Sequence, residues 1–205
     1  TMSFRVEKKY LLNNKNLLKF YNFLKKKNFK KLYPDRQIYS YYFDNSENKM
    51  HVDSEEGLTP RKKIRLRWYN NFLPKKNLLL EKKINSVEGR FKLSNNIDLN
   101  NFNLLIDRGI FDNYYGKCNS KIIISYYRSY FISNHIRITL DKNIKYIRNL
   151  LSNTSYRDMD DYIVEFKYQK LGWKPEILTE MPGTEIRSSK YSNGMNYFLN
   201  LNLIR

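Results

Sequence analysis

Five segments of this 205-residue chain place charged side chains at every second position. Between Arg61 and Tyr69, the cations Arg61, Lys63, Arg65 and Arg67 are interleaved with Ile64, Leu66 and Trp68. Arg5, Glu7 and Lys9 keep the same spacing, as do Glu81 and Lys83, and Glu165 and Lys167. A hairpin candidate centred on Ser133-Asn134 sets Arg128 on one strand against Arg137, Thr139 and Asp141 on the other. Successive side chains of a strand point to opposite faces, so each segment has one ionic and one apolar face. For any single strand, a sheet whose polar face meets water would satisfy this pattern. Such faces usually mix Ser, Thr, Gln, Lys and Glu; here Arg and Lys dominate, with single carboxylates two positions from a cation. A barrel with an ionic lumen and an apolar outside covered by helices accommodates both faces in all five strands.

The rest of the chain fits that plan. Strands are expected at Phe4 to Leu11, Gln37 to Asp44, Arg61 to Tyr69, Leu78 to Ile84, Glu88 to Leu93, Lys121 to Ile132, His135 to Leu140 and Tyr162 to Tyr168. A helix capped by Asn13 or Asn14 should carry Leu17, Leu18, Tyr21 and Leu24 on one face and Lys19, Lys25 and Lys26 on the other. A short helix should run from Leu99 to Gly109, and a last one from Ser188 to Leu201 with Tyr191, Met195 and Phe198 on one side. Asn45 to Pro60 reads as a loop or short helix, Gly172 to Pro182 as a loop that could hold another, and Lys142 to Asn149 fits no single template. The runs at Lys25 to Lys27 and Lys30-Lys31 read as a solvated helix end. Short turns join most strands, so the expected fold is α+β: an eight-stranded antiparallel β-barrel with helices packed outside. No repeat or Pro/Gly-rich linker divides the chain, and residues 1–205 read as one domain.

Composition narrows the chemistry. Lys and Arg number 38 against 20 Asp and Glu, a net +18 that points to an anionic partner. Part of that excess is the residue usage of an AT-rich genome, since the chain holds no alanine and is crowded with Asn, Lys, Ile and Tyr. One cysteine, Cys118 in a polar turn region, and two histidines, His51 at the surface and His135 on a strand, leave no disulfide and no Cys/His metal site. No apolar run approaches the roughly 20 residues of a membrane helix. The N-terminus shows no hydrophobic signal core, so the expected compartment is the cytoplasm, at a membrane only through a membrane-protein partner.

Crowded cations in a confined lumen repel one another unless an anion joins them. Guanidinium groups match phosphate oxygens in fork geometry. Isolated glutamates among them would repel phosphate, but they make sense as oxygen ligands for a divalent metal that bridges phosphates. Cations plus one or two metal-binding carboxylates are the parts of a phosphoryl-transfer site. Arg187, Ser189 and Lys190 stand just before the last helix, whose N-terminal amides would also suit a phosphate. The tyrosines mostly sit opposite the cations, so nucleic acid is not the expected partner, although a non-catalytic polyanion-binding module stays open.

Eight segments in order resemble the VTC domain, the polyphosphate polymerase domain of the triphosphate tunnel metalloenzyme superfamily. They are Phe4 to Tyr10 (FRVEKKY), Ser40 to Asp44 (SYYFD), Lys63 to Tyr69 (KIRLRWY), Leu80 to Lys83 (LEKK), Tyr127 to Tyr130 (YRSY), Arg137 to Asp141 (RITLD), Val164 to Tyr168 (VEFKY) and Ser189 to Gly194 (SKYSNG). The resemblance implies an eight-stranded triphosphate tunnel that takes ATP and polyphosphate and uses Mn²⁺ or Mg²⁺. It implies a catalytic set of Lys9, Arg65, Arg67, Lys83, Arg128 and Arg137. Arg5, Lys63, Lys167, Arg187, Ser189 and Lys190 would bind substrate. Glu165 would be the main metal ligand, with Glu7 and Glu81 as further ones or as groups that orient cations. The cyclase and triphosphatase branch of the superfamily opens with Glu-x-Glu-x-Lys, whereas this chain has Arg5 at the first position. One carboxylate fewer favours a transferase over a two-metal hydrolase.

Overall fold

The computed structural model describes residues 5–150, 155–157, 162–169 and 176–203. The elements are β1 (Arg5–Leu12), α1 (Asn14–Lys26), β2 (Lys30–Asp44), α2 (Lys49–Glu55), β3 (Arg61–Tyr69), β4 (Leu78–Ser86), β5 (Gly89–Ile97), α3 (Asn101–Arg108), β6 (Ile110–Asp112), β7 (Gly116–Ser133), β8 (Ile136–Ile147), β9 (Ser155–Arg157), β10 (Tyr162–Gln169), β11 (Thr184–Ile186) and α4 (Lys190–Leu203). A 3-10 turn, Glu176–Leu178, precedes β11, and residues 172–175 of the loop expected there lie outside the described residues. Among the described residues no helix is long and apolar enough to cross a membrane.

All strand pairs are antiparallel, in the order β11-β1-β10-β8-β7-β2-β3-β4-β5, with β6 paired to β7 and β9 to β8. The α+β class stands; the strand count and the closure do not. Among the described residues eleven strands form the sheet, and no ladder joins β5 to β1 or β11. The sheet curls until its two flanks meet through side chains: Arg90 on β5 lies 3.5 Å from Glu7 on β1. β6, β9 and β11 are three residues each, too short to show a period of two in sequence. The stretch 142–149 resolves as the continuation of β8, with a register shift against β7 and Asn143 at φ 53°.

The two faces of the sheet hold different cores. On the convex side α1 packs Phe20, Phe23 and Leu24 against Tyr10, Phe131, Ile138, Leu140, Val164 and Phe166. Leu18 and Tyr21, expected on that face, are 70% and 41% exposed. The buried stripe instead runs Leu17, Phe20, Leu24, with Phe23 beside it. Lys30 and Lys31 open β2 rather than ending a helix. Further along the convex side, Met50 of α2 and Phe102 of α3 cover Tyr41, Ile64, Leu66, Trp68 and Ile123. Cys118 belongs to this core, fully buried on β7, where burial pushes its thiol up to about 11; the polar turn expected for it is not there. His51, expected at the surface, is buried in α2, and His135, expected on a strand, is exposed in the β7–β8 turn.

α4 lies on the concave side, not outside. Tyr191, Met195 and Phe198 close over Ile122, Ile124, Ile144, Tyr146 and Ile163. Gly194 permits the approach, since a Cβ there would sit 2.5 Å from Ile122 Cδ1 and 2.6 Å from Tyr146 Cδ1. The Ile122-Ile123-Ile124 run is apolar without alternation because β7 is buried on both faces at this point.

Candidate active site

The ladder registers gather the alternating charges onto the concave face. Arg65 stands opposite Glu81 and Lys63 opposite Lys83. Lys9 faces Glu165 and Glu7 faces Lys167 across β1 and β10. Arg137 faces Lys167, and Arg128 faces Asp141. The start of α4 completes the band: Ser189 Oγ caps it by accepting from Ser192 N at 3.4 Å and also accepts from Lys63 Nζ at 2.6 Å. Lys9 donates to the Ser188 carbonyl, and Lys190 to Asp141 Oδ2 at 2.6 Å. Fourteen of the expected site residues have described side chains, and twelve of these converge on this band or its α4 rim. The other two, Arg137 and Arg187, are exposed and make no ion pair among the described residues, although Arg137 keeps its ladder place. The side chain of Arg5 lies outside the described residues.

The carboxylates are not equivalent. Glu81, 1% exposed, is held by Arg65 Nη2 at 2.6 Å, by Arg67 Nη1 at 3.5 Å and by Lys92 from β5. Burial alone would raise its pKa, but Arg65 and Arg67 bring it down to about 2. Asp141 is buried between Arg128 Nη2 at 2.7 Å and Lys190. Glu165 and Glu7 are held more loosely. Glu165 lies 3.4 Å from Lys167 and 3.9 Å from Arg128, and Glu7 lies 3.3 Å from the same Lys167 ammonium. Burial opposes the Glu165 charge, yet Lys167 and Arg128 hold its pKa well below the usual carboxylate range. Among the described residues no group of three or more His, Cys, Asp or Glu forms a ready metal cage. Glu165 and Glu7 still offer the hard oxygen donors that a divalent ion prefers, and they are the residues that would hold one. Glu81 does not suit one, because its oxygens are already taken by three cations.

Cations outnumber carboxylates on this face, and their pKa values show it. Lys83 is exposed on the concave face, opposite Lys63, and among the described residues it has no hydrogen-bond or ion-pair partner. The field of Arg65, joined by those of Lys167 and Arg67, pushes its ammonium well below the usual lysine range. Lys63 is brought down to about 8, by burial first and then by Lys9 and Arg61. Burial also lowers Lys9, against a partial restoring pull from Glu165. A lysine with a lowered folded-state pKa binds fewer protons folded than unfolded, so the ligand-free protein should gain stability as pH rises from about 8 towards 10.5. Binding of inorganic triphosphate should run the other way and weaken above about pH 8 as Lys63 loses its charge. Calorimetric titrations at pH 7 and pH 9 test this; equal affinities would remove Lys63 from the anion site.

Residues 4–117 and 110–199 match the VTC domain family model. The chain belongs to the VTC domain family. No curated protein sequence matches it. Solved structures share its fold. A candidate adenylate cyclase from Vibrio parahaemolyticus aligns with TM-score 0.60 at 17% identity, over 96% of this chain and 99% of that one. A candidate adenylate cyclase from Bacillus halodurans gives 0.60 at 12%, over 91% and 94%. A candidate adenylyl cyclase from Hippeastrum with a dominant triphosphatase activity gives 0.58 at 12%, over 95% and 96%.

The concave face of this VTC domain also holds side chains that the charge pattern did not single out. Tyr42 Oη accepts from Arg65 Nη1 at 2.6 Å, and Tyr126 Oη from Arg67 Nη2 at 3.2 Å. The Tyr126 ring lies under Arg128 at 5.1 Å and Lys190 at 4.9 Å. These phenols hold the guanidinium groups in place between apolar floor and ionic band. A usable signal was present, because Tyr42 follows Ser40 by two and Tyr126 precedes Arg128 by two, which places them on the inner face. Lys92 and Arg90 carried less signal, since β5 alternates weakly.

Proposed function

We propose that this VTC domain, residues 1–205 acting as one tunnel domain, is an ATP-dependent polyphosphate polymerase. The supporting observation is the cation excess of the concave face, with Lys83 unpartnered and Lys63 and Lys9 depressed: a multiply charged anion relieves it. The terminal oxygen of a polyphosphate chain attacks the γ-phosphorus of ATP. The bond from that phosphorus to the β–γ bridging oxygen breaks, and ADP leaves with its electron pair. The attacking oxygen is already anionic, so no side chain has to remove a proton. Arg65, Arg67, Lys83, Arg128 and Lys9 align the phosphates and neutralise charge as it moves, and Arg137 adds charge from its exposed place opposite Lys167. Lys63, Lys167, Ser189 and Lys190 bind the chain, with Arg5 and Arg187 as outer contacts. Glu165 and Glu7 would hold Mn²⁺ or Mg²⁺, which would supply further neutralisation of phosphate charge.

The second reading is hydrolysis of triphosphate, the dominant activity of the Hippeastrum protein of the same fold. It requires a carboxylate to orient water, and with Glu81 and Asp141 saturated by cations that duty falls to Glu7 or Glu165. Incubation with ATP and Mn²⁺, with products resolved on a gel stained for polyphosphate and free phosphate assayed in parallel, separates the readings. A ladder of chains with ADP is expected. Free phosphate without chains would establish the triphosphatase, and neither product would leave a polyanion-binding module.

A further inference from the structure

Arg36 on β2 lies among three tyrosine rings: Tyr33 at 5.6 Å, Tyr69 at 5.7 Å and Tyr130 at 5.9 Å from its guanidinium carbon. Among the described residues it makes no hydrogen bond or ion pair, so its five N–H donors have no protein acceptor. Every other arginine described on the concave face at this level, Arg67 and Arg128, has a carboxylate within reach. The ladders place the cluster beside the phosphate-binding band. Arg36 is the direct cross-strand neighbour of Arg128, and Tyr33 that of Tyr130. Tyr69 follows Arg67 by two on β3, and Tyr130 follows Arg128 by two on β7. Two residues along a strand cover roughly 6.7 Å, about the reach of a ribose between a base and its first phosphate.

We infer that this arginine–tyrosine cluster is the nucleobase site of the nucleoside triphosphate, an inference that rests on the nucleotide chemistry proposed above. Tyr33 is exposed and Tyr69 and Tyr130 are half-buried; a tyrosine face stacks on a base whatever its identity, and a guanidinium plane stacks as well. The free donors of Arg36 meet the ring-nitrogen and carbonyl acceptors on a purine edge. The base is then held by β2, β3 and β7, and the triphosphate runs from it onto Arg67 and Arg128. A bare phosphate chain makes no use of the tyrosine faces, so the cluster separates donor nucleotide from polymer.

The test compares two probes on the full chain by calorimetry without metal: adenosine 5′-(β,γ-imido)triphosphate and inorganic triphosphate. Two variants are needed. Arg36→Ala removes a stacking plane and a charge. Tyr33→Ala removes only a ring, at a position 46% exposed where the fold tolerates it. Both should weaken the nucleotide analogue, by roughly 5- to 150-fold for the loss of one base-stacking partner. Tyr33→Ala should leave inorganic triphosphate within about 2-fold, a change too small for a lost contact. Equal loss for both probes in both variants would make the cluster a general anion contact and overturn the inference. So would unchanged binding of the analogue. Failure of the parent protein to bind either probe would instead sink the triphosphate reading itself, and this inference with it.

Discussion

Glu165→Gln is expected to cost phosphoryl transfer at least about 10²–10³-fold, the scale of removing one preorganised charge from a transition state. Glu165 is 8% exposed, yet its nearest cations stand 3.4 Å and 3.9 Å away, so its oxygens are ionised and loosely occupied. Burial works against that charge, and Lys167 and Arg128 overcome it, which favours the carboxylate form. The substitution keeps the shape and removes the charge. Binding should respond differently from turnover. Without metal, the carboxylate repels phosphate and neutralises Lys167, so the variant should bind inorganic triphosphate as tightly as the parent or more tightly. Turnover with Mn²⁺ and metal-free affinity, measured side by side, give the decision. Parental turnover would remove Glu165 from the mechanism, and parallel losses of both would make it a structural counter-ion.

Glu81→Gln should fail in the opposite sense, through stability. It is expected to destabilise the fold by about 3–5 kcal/mol, because breaking a buried ion pair from one side leaves its partners' charge uncompensated. Here Arg65 is buried, and Arg67 and Lys92 converge on the same carboxylate. At about 2–4 °C per kcal/mol for a chain of this size, the melting temperature falls by roughly 6–20 °C. Acid should act like the mutation: the folded-state pKa of about 2 lies below the ordinary 4.5, so the contribution is complete above 4.5 and is lost as pH falls towards 2. Added inorganic triphosphate should stabilise the variant more than the parent, since it supplies the missing negative charge. Parental stability combined with lost metal-dependent turnover would put Glu81 on the metal instead.

The strand pattern was legible where it was long. β3 alternates over nine residues, and its inward cations occupy their expected face. α4 was legible too, because Tyr191, Met195 and Phe198 share one stripe and are buried. In α1 the same reasoning chose the wrong edge of the stripe: Leu17 and Leu24 belong to both candidate faces, and only the position of Phe131 and Phe166 selects Phe20 and Phe23 over Leu18 and Tyr21. Cys118 looked like a turn residue because its neighbours are polar, but a strand of 18 residues outlasts its hydrophobic run. Arg36 was invisible, since its three tyrosines come from three positions on β2, β3 and β7.

By itself the sequence determined which side chains travel together, because side-chain direction along an extended chain is local and repeats every second residue. It thereby assigned the cations and glutamates of each strand to a common face before any contact was known. Which way that face curls, and what each glutamate meets there, belonged to the tertiary structure. Glu7, Glu81 and Glu165 look alike in sequence, each two positions from a cation. Pairing of β4 with β5 brings Lys92 to Glu81 and saturates it, whereas the cations around Glu7 and Glu165 stand 3.3 to 3.9 Å away and hold them more loosely. Charge on a carboxylate is a property of the residue. Its availability depends on neighbours tens of residues away, and only the folded sheet brings those within a few ångströms.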